Sequence, residues 1–271
     1  MLFVGCVNFT SEQMISVTGK RALVTGSTMG IGHAAARGLL EADARVAIHG
    51  RDIKRVREAI RKLDHPERTV PVCGDVGDPA ECQRLIEESV TGLGGLDYLV
   101  CNAGIGDLSY PEDLTEEHWD KLFNVNCRSG YFLTKYALPA LRESRGSVLL
   151  VASAAGICAG PSDAYAYAVT KAGLISLAQS LALELAPHEI RVNALCPGYI
   201  NTPMIAAENA ATGGQIHRFV EETTPLRRIG TDVECASAIV YLASEAAAYV
   251  TGSLIVNDGG LTARRSWGGR N

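Results

Sequence analysis

Short apolar runs alternate with amphipathic stretches along almost the whole chain. The apolar runs predict strands at 21–25, 44–49, 69–73, 96–101, 147–152, 189–196 and 253–256. The amphipathic stretches predict helices at 34–40, 52–64, 78–93, 115–142, 167–185 and 232–243. Strands that alternate with helices form a parallel sheet covered on both faces. The sequence therefore predicts an α/β fold, a single Rossmann-type domain with a doubly wound parallel sheet of about seven strands.

Three segments fall outside this alternating pattern. Residues 1–18 are interpreted as an N-terminal extension of the 19–261 domain, and 262–271 as a polar C-terminal tail. Residues 203–225 are expected to form an irregular insert, whose small residues and glycine pair favour a mobile segment over a site. A plain surface excursion is the alternative interpretation of this insert.

Composition and charge narrow the class of protein. The 271 residues are 20% charged and carry a formal charge of −5 without a basic stripe, which argues against nucleic-acid binding. No apolar run approaches the roughly 20 residues that span a membrane. Eight cysteines without a Cys-x-x-Cys pair are interpreted as reduced thiols of a cytoplasmic protein. Six histidines without ligand spacing predict that no catalytic metal is bound.

A glycine-rich turn joins the first predicted strand to the first predicted helix. Its spacing is Gly26-x-x-x-Gly30-x-Gly32. Glycines let a backbone turn sharply and approach a phosphate closely, and a helix N-terminus presents unpaired N–H groups to an anion. The turn therefore predicts a site for the phosphates of a nucleotide.

The second predicted strand ends where dinucleotide-binding folds recognise the adenosine ribose. A carboxylate there binds the ribose, whereas an arginine suits the 2′-phosphate of NADP. The expected acidic position is Gly50, and Arg51 follows it. This favours NADP(H). NAD(H) is the alternative, because Met29 in the glycine turn is uncharged and the turn therefore supplies no second cation for the 2′-phosphate. A solvated surface charge is the other interpretation of Arg51.

Two further strand ends carry candidate nucleotide contacts. Asp75, followed by Val76, either caps the next helix or binds the adenine amino group. Ala103 and Gly104 follow the fourth predicted strand and have almost no side chain, which suits a backbone that passes close to a ribose. A tight turn is the alternative for this pair.

The candidate acid/base unit is Tyr167-x-x-x-Lys171, whose two side chains share one face of a predicted helix. A free tyrosine has a pKa of about 10, and a nearby ammonium favours the phenolate and lowers that pKa. The pair is therefore suited to moving a proton on or off an alcohol oxygen. A tyrosine that packs on a lysine stem is the alternative.

Two more polar residues are expected near this pair. Ser153 ends the fifth predicted strand and is expected to face Tyr167 across one cleft, because ligands bind at the carboxyl ends of strands in such sheets. Asn126 lies inside a predicted helix, where it competes for backbone hydrogen bonds. It is either a surface residue or a site where water enters and bends the helix.

Together these motifs resemble the short-chain dehydrogenase/reductase family over residues 19–261. Within the family, the sequence most resembles 3-oxoacyl-carrier-protein reductases and gluconate- or glucose-dehydrogenase-like members. One departure is Cys101, where the family usually has a second asparagine. The matching motifs follow the family's order: Thr25-Gly26-x-x-x-Gly30-x-Gly32, Asn102-Ala103-Gly104, Asn126, Ser153, Tyr167-x-x-x-Lys171 and Pro197-Gly198.

The resemblance implies a catalytic tetrad of Asn126, Ser153, Tyr167 and Lys171. Tyr167 would exchange a proton with the substrate oxygen, and Ser153 would hydrogen-bond to that oxygen. Lys171 would bond the nicotinamide ribose and lower the pKa of Tyr167. Asn126 would hold a water that links Lys171 to solvent.

The resemblance also implies a hydride transfer between a nicotinamide cofactor and a secondary alcohol or ketone, in a homotetramer or homodimer. The pairing helices would be those at 115–142 and 167–185. By the same resemblance, Ile200 and Thr202 would bind the nicotinamide amide. The implied cofactor contacts are Gly26, Thr28, Gly30, Ile31, Gly32, Arg51, Asp75, Val76, Asn102, Ala103, Gly104, Tyr167, Lys171, Pro197, Gly198, Ile200 and Thr202.

Two other functions remain open at this point. A non-catalytic dinucleotide sensor on the same fold is disfavoured by the intact tetrad, and an epimerase of the extended branch by the glycine spacing and the short chain. The substrate class is also open. Ile105, Tyr199, Met204 and Ile205 suggest a partly apolar wall, which fits an acyl, steroid or small cyclic ketone, with a polyol as the alternative.

Overall fold

The computed structural model describes residues 15–106, 110, 112–158 and 164–263. Its seven strands form one parallel sheet in the order β3-β2-β1-β4-β5-β6-β7. The strands are β1 (Arg21–Val24), β2 (Arg45–Gly50), β3 (Thr69–Cys73), β4 (Tyr98–Cys101), β5 (Ser147–Val151), β6 (Arg191–Pro197) and β7 (Leu254–Asn257).

Helices connect the strands and cover both faces of the sheet. They are α1 (Gly30–Glu41), α2 (Ile53–Leu63), α3 (Pro79–Leu93), α4 (Glu116–Phe123), α5 (Ser129–Ser144), α6 (Tyr165–Leu185), α7 (Pro203–Ala211), α8 (Gln215–Thr223) and α9 (Asp232–Ala243). The predicted α/β fold with a doubly wound parallel sheet is therefore confirmed. The predicted strand ends agree with the structure to within two residues.

The apolar cores lie on the two sides of the sheet. One contains Leu133 from α5 and Leu174 from α6, and the other contains Leu39 from α1 and Ile239 from α9. Burying one such side chain contributes about 2 kcal/mol to stability. These layers hold the strands rigidly, so that residues at the strand ends keep fixed positions.

The strand order reverses direction between β1 and β4, which places a crevice at the carboxyl ends of these strands. Val24 pairs with Ile48 of β2 on one side and with Val100 of β4 on the other. Open α/β sheets bind ligands at such a switch point. The register therefore brings the glycine turn after β1 and the loops after β2 and β4 to one edge of the sheet.

The prediction of an irregular insert at 203–225 is wrong, because this segment forms α7 and α8. Thr202 caps α7, since its hydroxyl accepts a hydrogen bond from the Ile205 N–H, and Pro203 occupies the first turn. Gly213 and Gly214 have φ values of 60° and 83°, which join the two short helices. The glycine pair is thus a turn between helices.

Other boundaries differ less. The first helix begins at Gly30, four residues before its predicted start at 34, and the predicted helix 115–142 is interrupted by a π turn at Asn124–Arg128. The domain boundaries at 18/19 and 261/262 stay predictions, and residues 1–14 and 264–271 lie outside the described residues.

Among the helices that the structure describes, none is long and apolar enough to cross a membrane. Likewise, the described side chains contain no metal-binding cluster.

Candidate active site

Tyr167 and Lys171 lie in the first two turns of α6, as predicted from their spacing. The Lys171 ammonium lies 5.5 Å from the centroid of the Tyr167 ring and donates a hydrogen bond to the Val151 carbonyl at 2.9 Å. Lys171 is 3% exposed, and burial lowers its pKa to about 8. The ammonium form still dominates at neutral pH, so a cation lies beside the phenol.

Tyr167 is partly buried, and this burial raises the pKa of its phenol to about 12. A hydrogen bond with the Ser153 side chain lowers that pKa, and the negative charge of Glu208 raises it. This differs from the expectation that Lys171 lowers the pKa of Tyr167. The reason is that desolvation disfavours the phenolate, while the ammonium is directed at the Val151 carbonyl.

Ser153 follows β5 and begins a short turn at Ala154–Gly156 that packs against α6. Its hydroxyl oxygen accepts a hydrogen bond from the Ala155 N–H at 3.2 Å, so its hydrogen is available to the Tyr167 oxygen. Gly156 fixes this turn, because a Cβ there would lie 2.7 Å from the Lys171 carbonyl carbon and 2.8 Å from the Ala172 nitrogen. The turn and the helix therefore touch backbone to backbone, which sets the position of Ser153 against Tyr167.

Asn126 is 1% exposed and lies in the π turn between α4 and α5. Its side-chain oxygen accepts from the Ile105 N–H at 2.8 Å, and its amide donates to the Ile105 carbonyl at 2.9 Å. The surface interpretation is therefore wrong. A π turn widens a helix locally, and such turns are frequent at functional sites. Here it directs the amide at the loop after β4; the water-holding role stays a prediction.

The turn after β1 requires glycine at specific positions. Gly26 and Gly30 have φ values of 65° and 55°, and a Cβ on Gly26 would lie 2.9 Å from the Ala103 backbone. Asn102 ties this turn to the loop after β4, because its amide donates to the Thr25 and Gly26 carbonyls at 2.9 and 3.3 Å. The predicted cofactor residue Asn102 thus uses its side-chain amide to position the turn.

His49, which the sequence analysis did not select, supports the turn from below. Its Nδ1 accepts a hydrogen bond from the Gly26 N–H at 3.0 Å, so Nε2 carries the ring proton and donates to the Gly74 carbonyl at 3.1 Å. The ring is 2% exposed, and burial lowers its pKa to about 4. If Nδ1 of His49 were protonated, its N–H would point at the Gly26 N–H and the hydrogen bond between them would be lost. The only sequence signal was a histidine inside an apolar strand.

The neutral state of His49 predicts a stability loss in acid. Its pKa falls from an ordinary 6.5 to about 4 in the folded protein, so the unfolded chain binds the proton first. This contribution is fully present above pH 6.5 and disappears as the pH falls to about 4, on the order of 3 kcal/mol. Urea unfolding across this range is expected to show a smaller pH dependence for His49→Gln, which cannot charge. Equal pH dependence in both proteins contradicts the role of His49.

The end of β2 lacks a carboxylate and has no space for one. A Cβ on Gly50 would lie 2.7 Å from the Thr28 methyl group, and Arg51 follows with an exposed side chain. Asp75 is also exposed and accepts from the Gly77 N–H at 2.9 Å. The cap of α3 is Asp78, whose side chain accepts from the Ala80 N–H, so the capping alternative for Asp75 is wrong. Val76, in contrast, is buried.

The loop after β6 faces the glycine turn. Ile200 is 3% exposed and its side chain packs against Gly230, so only its backbone is available for the predicted contact with a nicotinamide amide. The Thr202 methyl group lies 3.3 Å from where a Cβ of Gly30 would be. Gly198, the second residue of the predicted Pro197-Gly198 contact, donates its N–H to the Asn257 carbonyl at 2.9 Å.

The strand ends therefore bring the predicted groups into one crevice. A Cβ on Gly104 would lie 3.3 Å from the Asn126 side-chain oxygen and 3.4 Å from the Lys171 ammonium, which joins the loop after β4 to the acid/base pair. The turn from Gly26 to Gly32 leads into the N-terminus of α1, and a helix N-terminus presents unpaired backbone N–H groups that suit a pyrophosphate. This arrangement is suited to a dinucleotide bound at the carboxyl ends of the strands.

Known proteins match the chain over the same residues. The family model described as enoyl-(acyl carrier protein) reductase matches residues 26–262, a range that includes all four predicted catalytic residues. Human dehydrogenase/reductase SDR family member 4 is 36% identical over 253 residues, 92% of this chain and 89% of that protein. The galactitol 2-dehydrogenase of Rhizobium johnstonii is 35% identical over 254 residues, 93% of this chain and 98% of that protein.

Solved structures agree with these sequence matches. The L-sorbose reductase of Gluconobacter frateurii, complexed with NADPH and L-sorbose, has a TM-score of 0.87 at 30% identity. The match covers 93% of this chain and 99% of that chain.

Proposed function

Because the chain belongs to the short-chain dehydrogenase/reductase family and is an NAD(P)-dependent oxidoreductase, we propose that it interconverts a secondary alcohol and a ketone with Tyr167 as the acid/base. The observation that carries the proposal is the hydrogen bond between the Tyr167 phenol and the Ser153 hydroxyl. The Lys171 ammonium lies 5.5 Å from the centroid of the same tyrosine ring. These groups lie at the carboxyl ends of the strands, beside the glycine turn.

A bound nicotinamide cofactor supplies or accepts the hydride. In reduction, Tyr167 donates its proton to the carbonyl oxygen while the Ser153 hydroxyl hydrogen-bonds to that oxygen. The Lys171 ammonium, 5.5 Å from the ring centroid, offsets part of the desolvation cost of the phenolate that remains, without bringing the pKa of Tyr167 below its ordinary value. In oxidation the same phenolate removes the alcohol proton. A phenol with a pKa of about 12 is almost fully protonated at neutral pH, so reduction is favoured there and oxidation gains rate as the pH rises.

We further propose that NADP(H) is the preferred cofactor. The support is local: Arg51 is exposed at the end of β2, and Gly50 occupies the position where an acid binds the ribose in NAD enzymes. The residues proposed to hold the cofactor are Gly26, Thr28, Gly30, Ile31, Gly32, Arg51, Asp75, Val76, Asn102, Ala103, Gly104, Tyr167, Lys171, Pro197, Gly198, Ile200 and Thr202.

Replacing Arg51 with glutamine is expected to raise the KM for NADPH roughly 10- to 100-fold, since a charged hydrogen bond contributes about 1.5–3 kcal/mol. The KM for NADH should change less than about twofold, because NADH has no 2′-phosphate. Steady-state kinetics with both cofactors measure this, with Arg55→Gln on the exposed face of α2 as the control. If the substitution changed the KM values for NADPH and NADH equally, Arg51 would not recognise the 2′-phosphate of NADP.

The reaction class is tested by a screen of grouped ketones and alcohols that follows NADPH oxidation and NAD(P) reduction. The expected result is turnover of at least one class, with reduction faster near neutral pH. Binding of NADPH without turnover of any class would favour the alternative of a dinucleotide sensor. A cofactor that survives purification, with no net oxidation or reduction of any class in this screen, would favour an epimerase, because epimerisation regenerates its cofactor.

We also propose a homo-oligomer, a dimer or tetramer in the cytoplasm. The support is an exposed apolar surface on α6, where Leu183 is 81% exposed and Val169 is also exposed. The cysteines that the structure describes are free thiols, which suits a reducing compartment. Light scattering of the purified protein measures the assembly, and a monomer at micromolar concentration would contradict it.

A further inference from the structure

The buried ring of His49 joins two of the loops that line the crevice. Its Nδ1 accepts a hydrogen bond from the Gly26 N–H in the turn after β1, and its Nε2 donates to the Gly74 carbonyl in the loop after β3. Both partners are backbone groups, so each bond positions a loop and not a flexible side chain. The two nitrogens belong to one rigid ring, which therefore sets the spacing between the two loops.

The backbone of His49 holds the same turn at the next residue. The Ser27 N–H donates to the His49 carbonyl at 2.9 Å, and the Ser27 hydroxyl oxygen accepts from the His49 N–H at 2.9 Å. Ser27 is buried. The turn thus makes three hydrogen bonds with His49, and it cannot shift relative to β2 without breaking them.

The loop after β3 is held on its other side by α3. The Arg84 guanidinium donates to the Cys73 carbonyl at 2.7 Å, and a Cβ on Gly74 would lie 2.7 Å from a Glu81 carboxylate oxygen. The Gly74 N–H donates to the Gly50 carbonyl at 3.2 Å. Gly74 is therefore fixed from several directions, and the ring of His49 transmits its position to Gly26.

The proposed contacts of the cofactor begin at both ends of this connection. The turn that starts at Gly26 leads into the N-terminus of α1, which suits the pyrophosphate, and Gly74 precedes Asp75 and Val76, which are proposed to contact the adenine. One ligand contains both groups at a fixed separation. It binds both loops at full strength only when their spacing is already correct, since any rearrangement on binding would reduce its affinity.

We propose that His49 is a positioning residue for the cofactor, in which Nδ1 places the turn that binds the pyrophosphate and Nε2 places the loop that binds the adenine. This inference rests on the proposed cofactor residues and adds to them a residue that does not touch the cofactor. It differs from a general effect on stability, because each ring nitrogen serves a different part of the ligand.

Two substitutions separate the two hydrogen bonds. Asparagine places an oxygen acceptor at about the position of Nδ1 and has no atom at that of Nε2. Glutamine places its amide nitrogen, a donor, at about the position of Nε2 and has no acceptor at that of Nδ1. His49→Asn is therefore expected to release the Gly74 carbonyl, and His49→Gln to release the Gly26 N–H.

Calorimetric titration measures the Kd for NADPH and for adenosine 2′-monophosphate, which has the adenine and the 2′-phosphate but no pyrophosphate. His49→Asn is expected to raise both Kd values at least about fivefold, because both ligands contain adenine. His49→Gln should raise the Kd for NADPH by a similar factor and that for the monophosphate less than about twofold. If NADH proves to be the preferred cofactor, NADH and adenosine replace these two ligands.

Kinetics give a second readout. The KM for NADPH should rise in both variants, while kcat at saturating NADPH should stay within about twofold of wild type, since the described hydrogen bonds of the His49 ring go to Gly26 and Gly74 and none goes to Tyr167.

Asn193→Ala is the matched control. The buried amide of Asn193 also joins two backbone groups, because it donates to the Val250 carbonyl at 2.8 Å and accepts from the Ser253 N–H at 3.0 Å. These contacts lie before β7, at the amino end of the sheet. The substitution is expected to lower Tm and to leave both Kd values unchanged.

The inference is overturned if both His49 variants bind NADPH as wild type does, or if His49→Gln weakens the two ligands by equal factors. If neither variant folds, Ser27→Ala, which keeps the ring, must raise the Kd for NADPH more than that for the monophosphate, and equal changes overturn the inference. In each case wild type still binds the cofactor and reduces ketones. Failure of the proposed function has a different signature, namely that wild type itself turns over no alcohol or ketone.

Discussion

Tyr167→Phe is expected to abolish turnover, with a fall in kcat on the order of 10²–10⁴-fold, and to leave cofactor binding almost unchanged. The substitution removes one oxygen atom, the only acidic group on that ring. The ring itself still fills its partly buried position on α6. Ser153 and Lys171 keep their backbone partners at Ala155 and Val151, so the surroundings of the site remain in place.

Two measurements separate catalysis from binding in this variant. Turnover is measured from the absorbance of NADPH in the presence of a ketone that the wild type reduces. The Kd for NADPH is measured from the change in protein fluorescence. Tyr165→Phe is the matched control, because Tyr165 lies two residues earlier on α6 and the residue four positions later is Val169. Activity retained by Tyr167→Phe, or lost by Tyr165→Phe with its fold intact, would contradict the assignment of the acid/base.

Gly32→Ala is expected to weaken cofactor binding by at least about 100-fold. A Cβ at Gly32 would collide with the Gly26 carbonyl and with the amide of Asn102. The first of these atoms belongs to the backbone of the glycine turn, which cannot yield without moving the turn away from α1. Because the phosphates are expected to lie against that turn, its displacement removes the N–H groups that hold them.

Gly38→Ala is the control for this prediction, since it makes the same change later in α1. The closest atoms there belong to side chains, at 3.1 Å for Val240 and 3.9 Å for Ala236, and alanine favours the helix more than glycine. Binding is measured as the rise of Tm with added NADPH. A Gly32→Ala protein that unfolds cooperatively and shows the wild-type rise would contradict the role of the turn.

Much of the fold could be predicted because its signals are local. The apolar runs of the seven strands are continuous, as expected for strands covered on both faces, and their ends were predicted to within two residues. The segment 203–225 was misjudged because its helices are short and only Val220 of α8 is buried among the described residues of that helix. Short helices depend on packing against the rest of the protein, which periodicity does not reveal.

The site was predictable where function depends on spacing and not where it depends on packing. Tyr167 and Lys171 were recognisable because four residues make one helical turn. The contacts of Asn126 with Ile105 and of His49 with Gly26 join residues distant in sequence, so only the fold reveals them.

The central claim is that the Tyr167 hydroxyl faces the reactive ring of a bound nicotinamide cofactor. A crystal structure of the complex with NADP⁺ and an alcohol tests it most directly. The predicted result places the Tyr167 oxygen within about 3 Å of the substrate oxygen, with the Lys171 ammonium at the nicotinamide ribose. A nicotinamide ring bound away from α6, or a phenol that points out of the crevice, would contradict the account.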